Sequence, residues 1–443
     1  MKIPTLCVRR ELNLYFPAMS MVDAALLLSG ALKALVAGNS GPGRWAKALE
    51  TSWASRFGAD EAILFPSARS GLYSLLKAFD VAPGDEVIVT GFTCSAVPSA
   101  ILQAGAIPVY ADINPSTFNM EPDHVRELVN DRTRVLLVQH TYGIAAEVKQ
   151  LMEIAKDHGL RVIEDACLAT GSDNEDRPLG SFGDAAIFSL ELSKTLSAGW
   201  GGIAQIGNVP VGEALRNTRD EAGPLHRWEA SRRLTQAGLS FFLYHPNLFW
   251  LSKYMLAVLF RLGFFRYSTS AEESYGHLPA EFLSSPSDSH WRIVARQLQR
   301  LEKILDNSDS VANRYKEVLA AHDVNAGAAV ENSGYMHLIR FPLLVLNQNR
   351  MIEYFDHRGI EIGRWFDAPV APMPQDPNIF HYTPGQCPVA EEVAQHIVNL
   401  PLHIRLTNTD VDKICLVLDS YLRQYPEECE YSSKYLARHI NLP

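Results

Sequence analysis

Arg134-Val135-Leu136-Leu137-Val138, a segment from Lys149 to His158, and Arg161-Val162-Ile163-Glu164-Asp165 read in succession as strand, helix and strand. The two apolar runs are short enough for buried strands, and the stretch between them has apolar residues at helical spacing. The alternation extends towards the N-terminus. Ile63-Leu64-Phe65, Glu86-Val87-Ile88-Val89 and Pro108-Val109-Tyr110 are strand-like, and helices are predicted over Ser70–Phe79, Ala96–Ala104 and Pro122–Val129. Strands joined by helices of about ten residues need right-handed crossovers and build a mostly parallel sheet covered on both faces. Earlier still, helical spacing from Ser20 to Val36 ends in Gly38-Asn39-Ser40-Gly41-Pro42-Gly43, and another helix is predicted from Trp45 to Phe57.

With 443 residues, 47% of them hydrophobic, the chain is long for one domain. The fold class is α/β. An N-terminal segment over 1–44 precedes a large domain over 45–310, and a small C-terminal α/β domain covers 311–443. Its elements are read at Met336–Leu346, Asn349–Arg358 and Asp410–Arg423, after one long amphipathic helix from Trp291 to Leu319. The large domain holds an insert at about 210–290, whose part from Leu234 to Tyr267 is crowded with Phe, Leu and Trp. Spanning a bilayer needs roughly 20 apolar residues in a row, and His245, Pro246, Asn247, Lys253 and Arg261 interrupt this one. It reads as added core or subunit interface; the alternatives are a lid over an apolar substrate and a shallow membrane-surface contact.

A net charge of −10 gives no basis for binding nucleic acid. Cys7, Cys94, Cys167, Cys387, Cys415 and Cys429 lie far apart without metal-ligand spacing, as expected of reduced thiols and no metal site. Arg9, Arg10 and Glu11 stand where a secretory signal would be apolar. A cytoplasmic protein with a small-molecule substrate is expected.

In sheets of this kind, ligands gather at the carboxyl ends of the strands. Asp165 follows one strand directly. About 30 residues on, Lys194 closes the run Phe188-Ser189-Leu190-Glu191-Leu192-Ser193-Lys194, ahead of Gly199-Trp200-Gly201-Gly202. Alone, the Asp could cap a helix and the Lys could be a solvated surface group. Together they suit pyridoxal 5'-phosphate (PLP). A buried carboxylate keeps its ring nitrogen protonated, and a partly desolvated lysine supplies the amine that carries it as a Schiff base. Ser67-Ala68-Arg69-Ser70-Gly71 lies between strand and helix, where free N–H groups and the helix dipole bind phosphate. Ser189 could add a hydroxyl. Arg69 could add charge to the phosphate or point to solvent, and the whole segment could be an ordinary turn.

The residues resemble the DegT/StrS family of PLP-dependent sugar aminotransferases, within fold type I. The resemblance runs through Gly43-Arg44-Trp45, PGDEVIVTGFT, AILQAGAIPVYADINPSTFNMEP, HTYG, VIEDA, LGSFGDAAIFS and Lys194 with its glycines. It resumes in GIEIGRWFDAP, PVAEEVAQHIVNLPLH and LTNTDVDKI. It implies a large domain with a mostly parallel, seven-stranded type of sheet flanked by helices. It also implies Lys194 and Asp165 as catalytic residues, with Ala68, Arg69 and Ser189 at the cofactor phosphate; Ser70, at the same helix start, is a further cofactor-binding candidate. Dehydratase members carry His at the lysine position, so Lys194 points to amino transfer. Cys94 stands where the family often has an aromatic residue stacked on the cofactor; it could lie against the ring or be a small buried hydrophobe. Leu168 replaces a Gln or His, leaving Thr93 or His140 for the phenolic oxygen, with a structural His140 the alternative. No counterpart is found for an Asn and an Arg that reach the partner subunit's cofactor.

The expected reaction is ping-pong transfer of an amino group from an amino acid, glutamate, to a nucleotide-linked keto-sugar, carried out by a homodimer. The alternatives are a non-sugar or lipid-linked carbonyl acceptor, and a PLP-binding regulator without catalysis.

Overall fold

A seven-stranded sheet organises the chain, seen here in a computed structural model that describes residues 10–207, 209–267, 279, 281–327, 336–374 and 376–440. Its strands are β1 (Glu61–Phe65), β2 (Glu86–Thr90), β4 (Ile107–Ala111), β5 (Thr133–Gln139), β6 (Arg161–Asp165), β9 (Ala185–Ser189) and β10 (Gly202–Ile206). Three short strands fall between them: β3 (Thr93–Cys94), β7 (Asp173–Asn174) and β8 (Arg177–Pro178). The order across the sheet is β1-β10-β9-β6-β5-β2-β4. Only β10 runs against its neighbours; the β9-β6-β5-β2-β4 pairs are parallel.

Two helices, α1 (Met21–Ala37) and α2 (Arg44–Phe57), precede the first strand, and α3 (Ala68–Ala78), α4 (Ala96–Gln103), α5 (Pro122–Leu128) and α6 (Val148–His158) lie between strands. Side chains alternate across a strand, and β2 shows the result. Val87 and Val89 join one core with Leu72, Leu75 and Leu76 of α3, while Ile88 joins another with Val125 of α5 and Leu151 of α6. Trp53 and Phe57 of α2 cover Leu64, Phe188 and Ile203.

After β10 come α7 (Gly212–Glu221), α8 (Arg227–Leu243), α9 (Pro246–Arg261), α10 (Asp288–Leu298) and α11 (Leu301–Ala320). The single long helix expected from Trp291 to Leu319 is thus two, broken at Gln299 and Arg300. The cause is on Arg300. Its guanidinium is drawn to Asp23 of α1 and donates to the Ala18 carbonyl at 3.1 Å, and its backbone leaves the helical region at φ −122°, ψ 20°. The apolar insert is a hairpin of α8 and α9. Residues of α8 such as Leu234, Ala237 and Phe241 are buried core, whereas much of α9 stays exposed, so the added-core reading holds only for α8. Among the described residues no helix is long and apolar enough to cross a membrane.

The C-terminal part holds β11 (Phe341–Leu344), α12 (Gln348–Asp356), β12 (Val370–Ala371), α13 (Pro388–His396), β13 (Ile397–Leu400), α14 (Asn408–Gln424) and α15 (Pro426–Ile440). Strands β11 and β13 pair antiparallel, and β12 pairs with β3 of the N-terminal part. The segment before α1 is clamped between distant elements. Leu12 exchanges backbone hydrogen bonds with Gly359 and Glu361, Arg10 grips Asp410, and the Glu11 N–H donates to the Pro246 carbonyl at 3.1 Å. Lys253 donates to Glu11 at 2.7 Å. Cys7 lies outside the described residues; Cys94, Cys167, Cys387 and Cys415 are free thiols.

Candidate active site

Asp165 is the last residue of β6 and is 5% exposed. Its Oδ1 accepts the Cys167 N–H at 3.0 Å, which fixes the carboxylate at the strand end. Glu164, one residue earlier, faces the other way. It is fully buried and accepts the N–H groups of Gly180 at 2.8 Å and Gly183 at 2.7 Å. His140 belongs to this second set. Its Nδ1 accepts the Ala146 N–H at 3.2 Å, which leaves Nε2 to carry the proton it shares with Glu164 at 2.9 Å.

Asp165 lines a cavity of about 160 Å³ with Ala68, Arg69, Cys94, Cys167, Ser189 and Lys194. Sequence candidates from four separate stretches therefore converge: the end of β6, the N-terminus of α3, β3, and the loop after β9. His140 is not among the lining residues, and neither is Thr93, whose hydroxyl donates to Gln139 at 2.7 Å. Both ring nitrogens of His140 are committed elsewhere, so the contact to a phenolic oxygen does not fall to it in this arrangement. Ser70 also stays outside. It is buried, and its hydroxyl donates to the Ser67 carbonyl at 2.8 Å, closing a capping box with Ser67.

That capping box positions the start of α3. Ser67 and Ser70 satisfy each other's backbone donors, while Ala68 and Arg69 occupy the first helical positions, facing the cavity. Gly202 of β10 lies against this turn, and a Cβ there would run into the backbone of Ser67 and Ala68. Its neighbour Gly201 has φ +123°, a conformation that favours glycine, with the Trp291 ring 3.0 Å from where a Cβ would sit.

Lys194 sits on a loop closed on itself. The Leu190 N–H donates to the Gly201 carbonyl at 2.9 Å, and the Lys194 N–H donates to the Glu191 carbonyl at 3.0 Å. The Glu191 carboxylate accepts from the N–H and hydroxyl of Ser193 at 2.9 and 2.7 Å. From below, the Gln297 side chain bonds both the N–H and the carbonyl of Ser197, at 2.8 and 2.6 Å. The lysine backbone is held on both sides.

Burial dominates at the two cavity thiols. It pushes Cys94 above its usual range, although Lys194 and Arg69 pull the other way, and it pushes Cys167 well above, aided by the charge of Asp165. Both remain protonated, soft wall groups near neutral pH. Cys94 is held in place by the C-terminal part, since Thr93 and Ser95 donate to the carbonyls of Pro369 and Ala371 at 2.8 Å each.

The sequence reading missed Trp365, Trp200 and Glu191, which line the same cavity. Lys194 Nζ lies 4.7 Å from the Trp365 ring centre. The guanidinium of buried Arg340 lies 3.5 Å from the same ring. Burial pushes Arg340 down to about 10, which still leaves it charged at neutral pH. Trp365 stands inside the stretch GIEIGRWFDAP, yet an aromatic residue in a loop carries no periodicity that would mark it.

Cavity and residue set suit PLP. A carboxylate faces a lysine across one cavity, a helix start stands ready for a phosphate, and the turn beneath it has no room for a side chain at Gly202. Comparison with known proteins agrees. The sequence model of the DegT/DnrJ/EryC1/StrS aminotransferase family matches residues 29–220 and 287–419. A UDP-N-acetyl-3-dehydro-alpha-D-glucosamine 3-aminotransferase of Acidithiobacillus ferrooxidans is 27% identical, over 85% of this chain and 88% of its own. The L-glutamine:2-deoxy-scyllo-inosose aminotransferase of Streptomyces kanamyceticus is 38% identical over 41% of this chain and 43% of its own. Among solved structures, PseC of Helicobacter pylori, an aminotransferase involved in the biosynthesis of pseudoaminic acid, shares the fold. Its TM-score is 0.73 at 18% identity, with 94% of this chain and 100% of that one covered. The chain is an aminotransferase and belongs to the DegT/DnrJ/EryC1/StrS aminotransferase family.

Proposed function

We propose that the protein is a PLP-dependent aminotransferase that moves an amino group from glutamate to the keto group of a nucleotide-linked sugar, in the synthesis of a surface polysaccharide or other glycan. The observation that carries this reading is the convergence of Lys194, Asp165 and the α3 N-terminus on one cavity. Bound there, PLP supplies an electron sink for the substrate carbon that loses its proton. Asp165 holds the proton on the pyridine nitrogen, Ala68, Arg69 and Ser189 hold the phosphate, and Lys194 Nζ takes up and returns the proton at the reacting carbon. The buried walls, Trp365 and Cys94 among them, exclude water from that transfer. The sugar acceptor is supported by relatives named for amino-sugar synthesis. The protein is proposed to act as a homodimer in the cytoplasm, as fold type I sites lie at subunit interfaces.

The test is the absorbance of the purified protein and of Lys194→Ala, each with and without glutamate. A band near about 410–430 nm in the wild type that glutamate shifts to shorter wavelength, absent in the variant, supports the assignment. Absence of that band after incubation with PLP overturns it. Glutamine in place of glutamate, as in the name of the Streptomyces kanamyceticus relative, identifies the donor in the same assay.

A further inference from the structure

The family match skips residues 221–286, the stretch that holds the α8–α9 hairpin. α9 has an inner side, where Ser252 and Leu256 are buried and Leu256 packs with Leu243 and Phe265. Another side is apolar and exposed among the described residues. Leu248, Leu251, Met255 and Val258 recur every three or four residues, so they form one stripe along the helix, continued by Leu262 and Phe264 in the turn that follows. Each of these six is between 37% and 66% exposed. Isolated exposed hydrophobic residues are ordinary; a continuous stripe of this kind marks a contact surface.

Charge identifies the partner. The chain as a whole carries −10, yet between Glu229 and Glu272 it contains no carboxylate, while Arg232, Arg233, Lys253, Arg261 and Arg266 fall in that interval. Arg232 and Arg233 are occupied by Glu229, and Lys253 by Glu11. Arg261 and Arg266 are exposed beside the apolar stripe, with the Glu229 carboxylate 4.0 Å from Arg266. A two-fold contact between copies of this chain would set the same patch against itself, bringing these arginines together, and the one hairpin carboxylate near them, Glu229, is already shared among Arg232, Arg233 and Arg266. An anionic lipid surface offers acyl chains to the stripe and headgroup phosphates to the arginines.

We propose that α9 and the turn after it seat the enzyme on an anionic bilayer, lying in the interface without crossing it. The inner face of the hairpin gives this surface a connection to catalysis. Arg266 also lines a second cavity with Tyr15, Gln236 and Tyr244, and that cavity shares Glu191 and Trp200 with the cavity of Lys194. Arg266 thus borders a cavity that adjoins the site through Glu191 and Trp200. The inference does not depend on which acceptor the site takes.

The test is co-sedimentation of the full-length protein with vesicles of phosphatidylcholine containing about one-quarter phosphatidylglycerol, against phosphatidylcholine alone. Binding to the anionic vesicles is expected, with at least about a tenfold loss in Arg261→Glu and in Leu251→Glu combined with Val258→Glu. The glutamate-induced absorbance change in solution should be unaltered in all three proteins. Arg261 is exposed, so its variant tests charge even if the double variant folds poorly. No binding to either vesicle overturns the proposal. So does equal binding to both vesicles that Arg261→Glu leaves unchanged. If the wild type ignores vesicles while Leu251→Glu with Val258→Glu reduces its mass in light scattering, the stripe is a subunit contact and the proposal is wrong.

Discussion

Lys194 Nζ lies 4.7 Å from the centre of the Trp365 ring, and the lysine and the tryptophan come from well-separated stretches of the chain. Lys194 is set by the loop after β9, Trp365 by the chain ahead of β12. A cation over an indole gains about 1–2 kcal/mol when water is excluded. Trp365→Ala should therefore slow the glutamate half-reaction about five- to thirtyfold, and Trp365→Phe should keep most of the rate. Stopped-flow absorbance would read both. An unimpaired Trp365→Ala would show that the ring does not position the lysine.

Asp165 has two tasks that a substitution separates. Its Oδ1 accepts the Cys167 N–H, which an amide oxygen can also do, but only the carboxylate supplies negative charge to the cavity. In Asp165→Asn we expect thermal stability within about 1 kcal/mol of the wild type and a turnover loss of at least about a hundredfold. Near-normal turnover in a folded Asp165→Asn would remove this residue from the proposed mechanism.

Gly202→Ala tests the turn at the start of α3. The added methyl group has nowhere to go except into the Ser67–Ala68 backbone, so the N–H groups at the helix start must shift. PLP affinity is expected to fall by at least about tenfold. Fluorescence titration with PLP measures it, and titration with pyridoxal, which lacks the phosphate, should show a smaller difference between variant and wild type.

Acid should destabilise the fold through His290. It is fully buried, and that burial pushes it from 6.5 down to about 3. The unfolded chain takes up this proton as pH falls below 6.5, but the folded chain resists until about 3. The neutral ring's contribution is therefore intact above 6.5 and is lost progressively below it, by about 3 kcal/mol at pH ~4. His290→Leu should flatten the fall in melting temperature between pH 7 and ~4. An unchanged slope would assign the acid sensitivity to other groups, His403 first, since burial pushes it down to about 4.

The strands with simple surroundings were legible. Val87, Ile88 and Val89 are buried on both sides of the sheet and announce a strand without help, and the helices that cover them show their spacing. β9 and β10 were harder to read. β10 contains Gly202 and Gln205, and its antiparallel course comes from pairing with β1 and β9, which local sequence does not encode. The break between α10 and α11 likewise depends on Arg300 reaching Asp23 in α1. At the site, Asp165, Lys194 and the Ser67–Ser70 turn could be found because each sits at the junction of a strand with something else. Cys94 was singled out by resemblance, and the structure places it on the cavity wall. His140, a histidine after a strand, read either as a contact to the phenolic oxygen or as a structural residue. Its partners Glu164 and Ala146 make it part of the packing beneath the sheet. Trp365 became visible only when β12 was seen to pair with β3.

The clamped segment before α1 bears on how the molecule is made. Leu12 leaves the ribosome well before the backbone it pairs with, Gly359 and Glu361, and before Asp410, the carboxylate that Arg10 grips. Contacts across such separations form late in folding. Through most of synthesis this segment has no partner, and Glu11 must also wait for Pro246 and Lys253 of the hairpin. The segment before α1 is therefore the seam by which these distant elements are finally closed.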